Sequence, residues 1–481
     1  MKTNPKFLQK HIGVLAMLLP LALAAGTQSP VGQEDAEHRV AFVHLFEWTW
    51  PDIARECETF LGPMGYTAVQ VSPPQEHVTG EQWWTRYQPV SYRLESRGGT
   101  RAQFENMVQR CRAAGVGIYA DAIINHMSGV GEGTGVAGSV YGRYEYPVPY
   151  DFDDFHHCGR HGDDDIRDYQ DAWEVRNCEL AELADLNTGD EAVQGKIAAY
   201  LHDLLDTGVA GFRIDAAKHM EPGDITAILD RLPLQPFIFQ EVIDRGNEPI
   251  TGGKYVGNGH VTEFKYGMEL YTAFTDSDLS GLESLGSEEG WVQPDLAVVF
   301  IDNHDVQRGH GGANDILTHK GWNTYNLANI FMLAWPYGYP MVMSSYRFSD
   351  PDEGPPSTQA VDEQGRCTAA WVCEHRDPAI ASMVGFRRQT HGQPVTGWTQ
   401  LNPSAIAFSR GDRGFVALNA GTSVVNARVS VGLAPGRYRD LLGSAIGAEE
   451  ERGDLIVAAD QTMTISLPPM SAIATHVGVV K

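Results

Sequence analysis

Short apolar runs alternate along this chain with segments whose apolar residues recur at the spacing of an amphipathic helix. Residues 52–65, 101–114 and 192–205 have that helical spacing. The apolar runs predict eight strands, at residues 40–46, 68–71, 117–124, 212–216, 237–242, 261–264, 296–301 and 339–344. Strands that alternate with helices form a parallel sheet, so this pattern predicts a closed (β/α)8 TIM barrel with the helices outside.

Two regions interrupt this alternation. Residues 127–185 have no helical period and are too long for an ordinary connection, so we expect a small inserted domain after the third strand. From residue 394 short alternating runs predict a C-terminal antiparallel β-sandwich, with strands at 405–408, 414–419, 427–431 and 462–467. The predicted domains are a barrel at 38–126 and 186–393, the inserted domain at 127–185 and the sandwich at 394–481.

The composition is that of a globular protein, with 42% hydrophobic and 20% charged residues. A formal net charge of −26 repels phosphate backbones, so we expect no nucleic-acid partner. The N-terminus combines three lysines with an apolar stretch at 12–25, which is typical of a signal peptide over residues 1–25. No other stretch is apolar enough to cross a bilayer, so we expect a secreted, extracellular protein without a membrane partner.

Six cysteines occur in the chain, at positions 57, 111, 158, 178, 367 and 373. An even number of cysteines in an exported protein predicts disulfide bonds. None of them lies in the Cys-x-x-Cys spacing of a zinc site, and the sequence positions alone leave the pairing open.

Four of the predicted strands end in polar residues. These residues are 121–126 after the third strand, Arg213 and Asp215 on the fourth, Glu241 on the fifth and 302–305 after the seventh. Active residues of such barrels lie at the carboxyl ends of the strands, so we expect one common site. Arg213 and Asp215 would face the same way on a strand, and the cation favours the ionised carboxylate. In isolation such a pair is more often a structural ion pair.

Two carboxylates in different surroundings suit the cleavage of a glycosidic bond. One acid protonates the leaving oxygen, and a second carboxylate attacks the sugar carbon or activates water. Glu241 lies on an apolar strand near two aspartates, so burial and like charge should raise its pKa. Asp215, beside Arg213, should stay ionised. This contrast makes Asp215 the expected nucleophile and Glu241 the expected general acid/base.

Four ordered segments resemble the α-amylase family of glycoside hydrolases: DAIINH at 121–126, GFRIDAAKH at 211–219, FQEV at 239–242 and FIDNHD at 300–305. The segments HLFEW at 44–48, WWTRYQP at 83–89 and MVMSSY at 341–346 are similar to its animal-type branch, which includes some bacterial enzymes. The resemblance implies retaining, endo-acting hydrolysis of internal α-1,4-glucosidic bonds in starch and glycogen to maltooligosaccharides. It also implies that Asp215 is the nucleophile, Glu241 the general acid/base and Asp305 a third carboxylate.

The resemblance further implies a set of substrate-binding residues around these carboxylates. The matching positions are Trp83, Trp84, Tyr87, Gln88, His126, Arg213, Lys218, His219 and His304. An isolated aromatic pair such as Trp83-Trp84 is more often part of a core than a sugar platform. Its place in a polar loop after the second strand favours the platform.

Calcium is the cofactor that the resemblance implies, and hard cations of this kind take oxygen ligands. The matching ligands are the side chains of Asn125 and Asp185 and the backbone carbonyls of Arg176 and His219. The acidic run at 163–165 is better interpreted as a solvated loop. The resemblance also implies three disulfides, Cys57–Cys111, Cys158–Cys178 and Cys367–Cys373.

One position departs from the animal-type pattern. That branch often binds an activating chloride ion between two arginines and an asparagine, and Arg213 and Asn303 match two of these positions. The third position is Met341, which carries no charge. Losing one of two cations should weaken anion binding greatly, so we expect chloride activation to be weak or absent.

Two other interpretations stay open at the level of the sequence. A transglycosylase or maltogenic relative would use the same carboxylates, because the choice of acceptor depends on loop shape. A catalytically silent glucan-binding protein on the same fold is disfavoured by the presence of Asp215, Glu241 and Asp305 together. We expect a monomer that acts on starch or a related α-glucan.

Overall fold

The computed structural model describes residues 39–148, 150–311, 315–443 and 454–480. The predicted signal peptide at residues 1–25 lies outside this part of the chain. Within the described ranges, no helix has both the length and the apolar character that a bilayer crossing requires.

The elements of the described residues are numbered in chain order. The strands are β1 (Phe42–Leu45), β2 (Ala68–Val71), β3 (Gly117–Ala122), β4 (Glu132–Thr134), β5 (Val140–Gly142), β6 (Gly211–Ile214), β7 (Phe237–Gln240), β8 (His260–Thr262), β9 (Ala297–Val299), β10 (Tyr339–Ser344), β11 (Val395–Asn402), β12 (Ala405–Arg410), β13 (Gly414–Asn419), β14 (Val425–Ser430), β15 (Gly436–Tyr438), β16 (Leu455–Val457), β17 (Thr462–Leu467) and β18 (Ser471–His476). The α-helices are α1 (Trp50–Glu56), α2 (Gly62–Met64), α3 (Arg101–Ala113), α4 (Ala172–Asn177), α5 (Glu191–Thr207), α6 (Pro222–Leu229), α7 (Phe264–Thr275), α8 (Trp322–Ala334) and α9 (Pro378–Gln389).

Parallel strands close into a barrel in the order β1-β10-β9-β8-β7-β6-β3-β2. The barrel that the apolar pattern predicts is therefore confirmed, and β2 and β10 have the predicted limits. β1 closes the ring because Phe42 pairs with Met341 on one side and with Ala68 on the other.

The fourth barrel strand ends earlier than predicted. β6 stops at Ile214, and Ala216 takes a left-handed backbone conformation with φ of 48°. This conformation costs a non-glycine residue roughly 1–2 kcal/mol, so the surrounding contacts must hold it in place. Asp215 consequently lies on a turn at the barrel mouth rather than within the strand.

The helix predicted at 52–65 is interrupted. α1 is followed by a π-helical turn, Cys57–Leu61, and then by the short α2. Pro63 has no N–H to donate, and the Gly62 N–H reaches back to the Cys57 carbonyl, which widens the turn. The sequence pattern shows the apolar face of this helix but not the change in its pitch.

The other two predicted helices are confirmed as α3 and α5. Thr100 and Gln103 form a capping box at the start of α3. The Asp190 side chain accepts the first free N–H groups of α5, and Gly208 ends that helix with φ of 97°.

The amino-terminal end of the barrel is filled by apolar side chains. Phe42, Ala68 and Tyr339 are the first residues of their strands, and they are buried in one cluster with Phe239 and Met341. The barrel is therefore a packed core at this end, and its polar residues are concentrated at the carboxyl ends of the strands.

The regions outside the barrel also follow the predicted fold class. The segment between β3 and α5 contains the β4-β5 hairpin and α4. The C-terminal region is a β-sandwich of two antiparallel sheets, β11-β12-β13-β18 and β14-β17-β16-β15. The domain limits at 38–126, 127–185, 186–393 and 394–481 stay predictions.

All six cysteines lie in the described residues and are bonded to one another. The pairs are Cys57–Cys111, Cys158–Cys178 and Cys367–Cys373, as the family resemblance implies. The second pair lies within the inserted segment, and the first joins the π-helical turn to α3.

Candidate active site

A cleft of about 650 Å³ opens at the carboxyl ends of the barrel strands. Its wall contains most of the predicted site residues, namely Trp83, Trp84, Tyr87, Gln88, His126, Asp215, Lys218, His219, Glu241, His304 and Asp305. Residues from widely separated parts of the chain therefore meet in one place, as the polar strand ends predict.

Arg213 lies beneath this wall and joins three carboxylates. Its Nη1 donates to Oδ1 of Asp121 and to Oδ1 of Asp215, both at 2.6 Å. Its Nη2 donates to Oε1 of Glu241 at 2.6 Å. The residue is 3% exposed, so these charge-assisted bonds form away from bulk water. One cation thus holds the predicted nucleophile and the predicted acid/base side by side.

The turn after β6 orients the Glu241 carboxylate. The Ala216 N–H donates to Oε2 of Glu241 at 3.1 Å, and the Glu241 N–H donates to the Ile214 carbonyl at 2.9 Å. The residue that donates this bond, Ala216, is the one with the left-handed conformation. Strained backbone of this kind is a feature of functional sites in many proteins.

Burial raises the pKa of both Asp215 and Glu241. The Arg213 charge lowers both pKa values without offsetting burial, and the Asp215 charge raises the pKa of Glu241 further. The upward shift expected for Glu241 is therefore confirmed; burial also raises the pKa of Asp215, and the ionised state of that residue stays a prediction. Both pKa values are raised because the desolvation of each buried carboxyl outweighs the attraction of the shared Arg213 guanidinium.

The Asp305 carboxylate lies beside the His304 ring in the cleft wall, with 3.3 Å between His304 Nε2 and Asp305 Oδ2. Burial and the Glu241 charge raise the pKa of Asp305 well above its ordinary value. Burial and the Arg213 charge lower the pKa of His304 well below its ordinary value. His304 is consequently a neutral imidazole that can form hydrogen bonds without adding charge to the site.

Aromatic rings hold the His304 imidazole in place. The Tyr87 ring stacks on it with 4.9 Å between centroids, and the Trp83 ring meets it edge-on at 5.5 Å. Trp83 is 3% exposed and also packs on Phe46, so it belongs both to the core and to the cleft wall. His126 is fixed on the other side by a 3.0 Å contact between its Nε2 and the Tyr87 carbonyl.

Lys218 and His219 extend the site toward the inserted segment. Lys218 Nζ donates to the Ile243 carbonyl at 2.9 Å and pairs with the Glu248 carboxylate. His219 Nδ1 lies 3.0 Å from the carbonyl of Val175 in α4. The turn after β6 therefore connects the carboxylates to the inserted segment.

Comparisons with known proteins agree with this geometry. Residues 59–238 match the family model "Alpha amylase, catalytic domain", and residues 398–478 match "Alpha amylase, C-terminal all-beta domain". The chain is 44% identical over 468 residues to pancreatic alpha-amylase 2a5 of Mus musculus, which covers 89% of this chain and 92% of that protein. The chain belongs to the α-amylase family. It is also 43% identical over 500 residues to the alpha-amylase of Pecten maximus, covering 97% and 98% of the two chains.

Solved α-amylase structures resemble this one closely. The wild-type alpha-amylase I of Eisenia fetida has a TM-score of 0.86 and 40% identity, covering 92% of this chain and 97% of that chain. A Glu-to-Gln mutant of the same enzyme in complex with maltohexaose also has a TM-score of 0.86, with 39% identity.

The α-amylase site contains residues that sequence reasoning did not single out. Asp121 is fully buried, accepts from the Tyr87 hydroxyl at 3.0 Å and binds Arg213, and burial raises its pKa to about 7. Its position as the first letter of the DAIINH segment is a signal that could have found it. Tyr169 and Glu248 also line the cleft, but their irregular loops carry no periodic signal.

The side chains implied as α-amylase calcium ligands fit a cation. Asn125 Oδ1 is buried without a hydrogen-bond partner in the described part of the chain. Asp185 is 1% exposed, and burial raises its pKa to about 7 although the His156 ring contacts it at 2.6 Å. The Leu186 N–H donates to the Asn125 carbonyl at 2.9 Å, which brings the two ligands together. A free amide oxygen beside a buried carboxylate is a suitable donor set for calcium.

The acidic run at 163–165 is built as a loop. Asp163 pairs with Arg167, and Asp164 Oδ1 accepts from the Gly159 N–H at 2.7 Å. No cluster of three or more His, Cys, Asp or Glu side chains suited to a metal occurs within the described ranges.

The positions that match a chloride site are occupied by other contacts. Met341 is 3% exposed and packs in the apolar cluster at the amino-terminal end of the barrel. Asn303 Oδ1 accepts the N–H groups of Asp305 and Val306 at 3.0 and 2.9 Å. The Arg213 guanidinium binds carboxylates, as described above.

Proposed function

We propose that this α-amylase cleaves internal α-1,4-glucosidic bonds of starch and glycogen with retention of configuration. The observation that carries the proposal is the Arg213 guanidinium bonded to both Asp215 and Glu241 at 2.6 Å. Two carboxylates on one guanidinium are held close together, which suits the roughly 5 Å separation of retaining enzymes better than the wider separation of inverting ones.

In the first step Glu241 donates its proton to the glycosidic oxygen while Asp215 attacks the anomeric carbon. The C–O bond to the leaving glucan breaks, and a covalent glycosyl-Asp215 ester forms. The raised pKa of Glu241 keeps the proton available for this transfer. In the second step Glu241 accepts a proton from water, which attacks the same carbon and releases Asp215.

Asp305 and His304 act on the sugar that reacts. Both line the cleft with Asp215 and Glu241, and their 3.3 Å contact supports a shared role in binding its hydroxyl groups. We assign Trp83, Trp84, Tyr87, Gln88, His126, Lys218 and His219 to substrate binding, because they line the same cleft. Arg213 is buried beneath the wall and acts through the carboxylates rather than by touching the sugar.

The substrate assignment draws on the maltohexaose complex of the Eisenia fetida enzyme, which concerns a mutant with a Glu-to-Gln change. We also propose that the chain acts outside the cell as a monomer. Its three disulfides support an oxidising compartment.

Calcium would be held by the side chains of Asn125 and Asp185 and the carbonyls of Arg176 and His219. A bound cation there supplies structural charge compensation for the buried Asp185 carboxylate. A chelator should therefore lower the melting temperature and the starch-cleaving rate together, and added calcium should restore both. An unchanged melting temperature would exclude these ligands.

Chloride activation is weak or absent in this proposal. Met341 brings no charge to the position where the animal-type branch often has a second arginine, and its side chain is buried among apolar residues.

The direct test is Glu241→Gln, assayed by iodine-stained starch. We expect the rate to fall by roughly 10²- to 10⁴-fold, because a glutamine cannot donate the proton. Glu263→Gln is the matched control, since Glu263 is buried at the end of β8 and does not line the cleft. Equal activity of Glu241→Gln and wild type would disprove the mechanism.

A further inference from the structure

Arg308 is a buried cation behind the cleft that the reaction steps above do not use. Arg308 is 4% exposed and ends the 3-10 helix Val306–Arg308, which begins directly after Asp305. Among the described residues, no carboxylate lies within 4.0 Å of its guanidinium nitrogens. A buried guanidinium without an ion pair needs other compensation.

Aromatic rings provide that compensation. The guanidinium carbon lies 4.3 Å from the centroid of the Phe348 ring, 4.7 Å from Phe46, 4.8 Å from Tyr346 and 5.8 Å from Trp83. These distances are in the range of cation–π interactions, which strengthen when the cation is desolvated. The rings follow three different barrel strands, β1, β2 and β10, whereas Arg308 follows β9.

Arg308 is also bonded to the segment that carries His304 and Asp305. Arg308 Nη1 donates to the His304 carbonyl at 3.1 Å and to Gln307 Oε1 at 2.9 Å. The Arg308 N–H donates to the Asp305 carbonyl at 2.9 Å. The guanidinium therefore joins the loop of His304 and Asp305 to rings fixed on three other strands.

Two of these rings touch His304 itself. The Phe46 ring stacks on the imidazole with 5.0 Å between centroids, and the Trp83 ring meets it edge-on at 5.5 Å. Removing Arg308 would free the loop on one side and loosen the rings on the other. Arg308 does not line the cleft, so it reaches the sugar only through these neighbours.

We propose that Arg308 is a positioning residue for the hydrolysis, which sets the placement of Asp305 and His304 through its aromatic cage and its bond to the His304 carbonyl. The proposal rests on the proposed function, because it assigns Asp305 and His304 to the sugar that reacts. A displacement of a catalytic group by about 1 Å can lower a rate by roughly 10²-fold.

The test uses Arg308→Met and Arg308→Lys in the full chain, with kcat and KM measured on a nitrophenyl maltooligosaccharide. We expect Arg308→Met to lower kcat by roughly 10- to 100-fold and to change KM by less than about threefold. Arg308→Lys keeps a cation in the cage and should recover part of the lost kcat. Arg160→Met is the control, since Arg160 also lies over an aromatic ring, 4.8 Å from the Trp173 centroid, but does not line the cleft.

Several results would overturn the proposal. A lower melting temperature with unchanged kcat per folded molecule would make Arg308 purely structural. A raised KM with unchanged kcat would mean that it contacts substrate. If Arg308→Met does not fold, Phe348→Leu removes the nearest ring and should lower kcat in the same direction, and an unchanged kcat there would refute the cage. An inactive wild type would instead contradict the proposed function, because the Arg308 test compares variants with an active parent.

Discussion

Two groups of buried arginines in this molecule have opposite surroundings. At the barrel mouth Arg213 binds three carboxylates, and although burial lowers its pKa, those charges raise it well above its ordinary value. Where α8 and α9 end against the sandwich, the partners of Arg410 among the described residues are backbone carbonyls, those of Ala334, Thr390 and Gln393. Burial and, to a smaller extent, the neighbouring Arg387 charge lower the pKa of Arg410 to about 9.

The difference separates a reactive site from a structural one. Carboxylates can gain or lose a proton, so the compensation of Arg213 changes with pH and with the reaction. Carbonyl dipoles are fixed, and cations at helix carboxyl ends interact favourably with the helix dipole. Arg387 is built in the same way, with Nη1 donating to the Trp335 carbonyl at 2.6 Å. The first arrangement can carry out chemistry, and the second can only hold two parts of the chain together.

The largest expected effect is at the mouth. Arg213→Lys leaves one ammonium where a planar guanidinium bridged Asp121, Asp215 and Glu241, so the carboxylates should separate. We expect kcat/KM to fall by roughly 10²- to 10³-fold, the range seen when a preorganised donor is removed. The measurement is steady-state hydrolysis of a soluble maltooligosaccharide. Full activity of the lysine variant would show that charge alone, without the bridge, is sufficient.

At the sandwich interface the same type of change should affect stability instead. Arg410→Met removes the donors of four hydrogen bonds and leaves buried carbonyls unpaired. We expect a loss of about 3 kcal/mol in the free energy of unfolding, measured by denaturant titration, with unchanged kcat of the folded enzyme. Arg428→Met, at an exposed site on β14, should cost no more than about 0.5 kcal/mol. A large loss of kcat in Arg410→Met would remove the distinction between the two groups.

Much of the mouth could be predicted from the sequence, because strand ends are marked by a change from apolar to polar residues. Asp215, Glu241 and Asp305 each follow such a change, and the barrel brings these ends together. The left-handed turn at Ala216 could not be predicted, since alanine has no preference for positive φ. The upward pKa shift of Asp215 could not be predicted either, because it depends on how completely the fold buries that carboxyl beside Arg213.

The contacts of Arg410 and Arg387, where α8 and α9 end against the sandwich, are harder to predict from the sequence. Backbone carbonyls carry no residue signature, so nothing in the chain marks Arg410 and Arg387 as partners of helix ends. Arg308 is similar, because its cage is formed by rings from distant segments. Long-range sets of this kind arise only when the fold is complete.

The pH dependence of activity should also depend on the barrel mouth and not on the arginines beside the sandwich. Burial raises the pKa of Asp215, so the ionised nucleophile forms only above a pH higher than the ordinary value of about 3.9. Burial also raises the pKa of Glu241, so the acid keeps its proton to higher pH. Both limbs of the kcat/KM profile should therefore shift to higher pH, and kcat/KM should fall by about tenfold per pH unit outside the two limbs. Arg410→Met should leave both limbs in place, and an acid limb at the ordinary aspartate value would contradict the burial argument.

The smallest expected effect concerns chloride. An anion beside Arg213 would lie close to Asp121, Asp215 and Glu241, which already bind that guanidinium, and Met341 adds no second cation. Like charges at such distances repel, so binding should be weak. Titrating chloride into a dialysed sample, against acetate at equal ionic strength, should change the starch-cleaving rate by less than about twofold. A saturable, several-fold activation would contradict this expectation. It would mean that Arg213 can attract a chloride ion even while it binds the carboxylates of Asp121, Asp215 and Glu241.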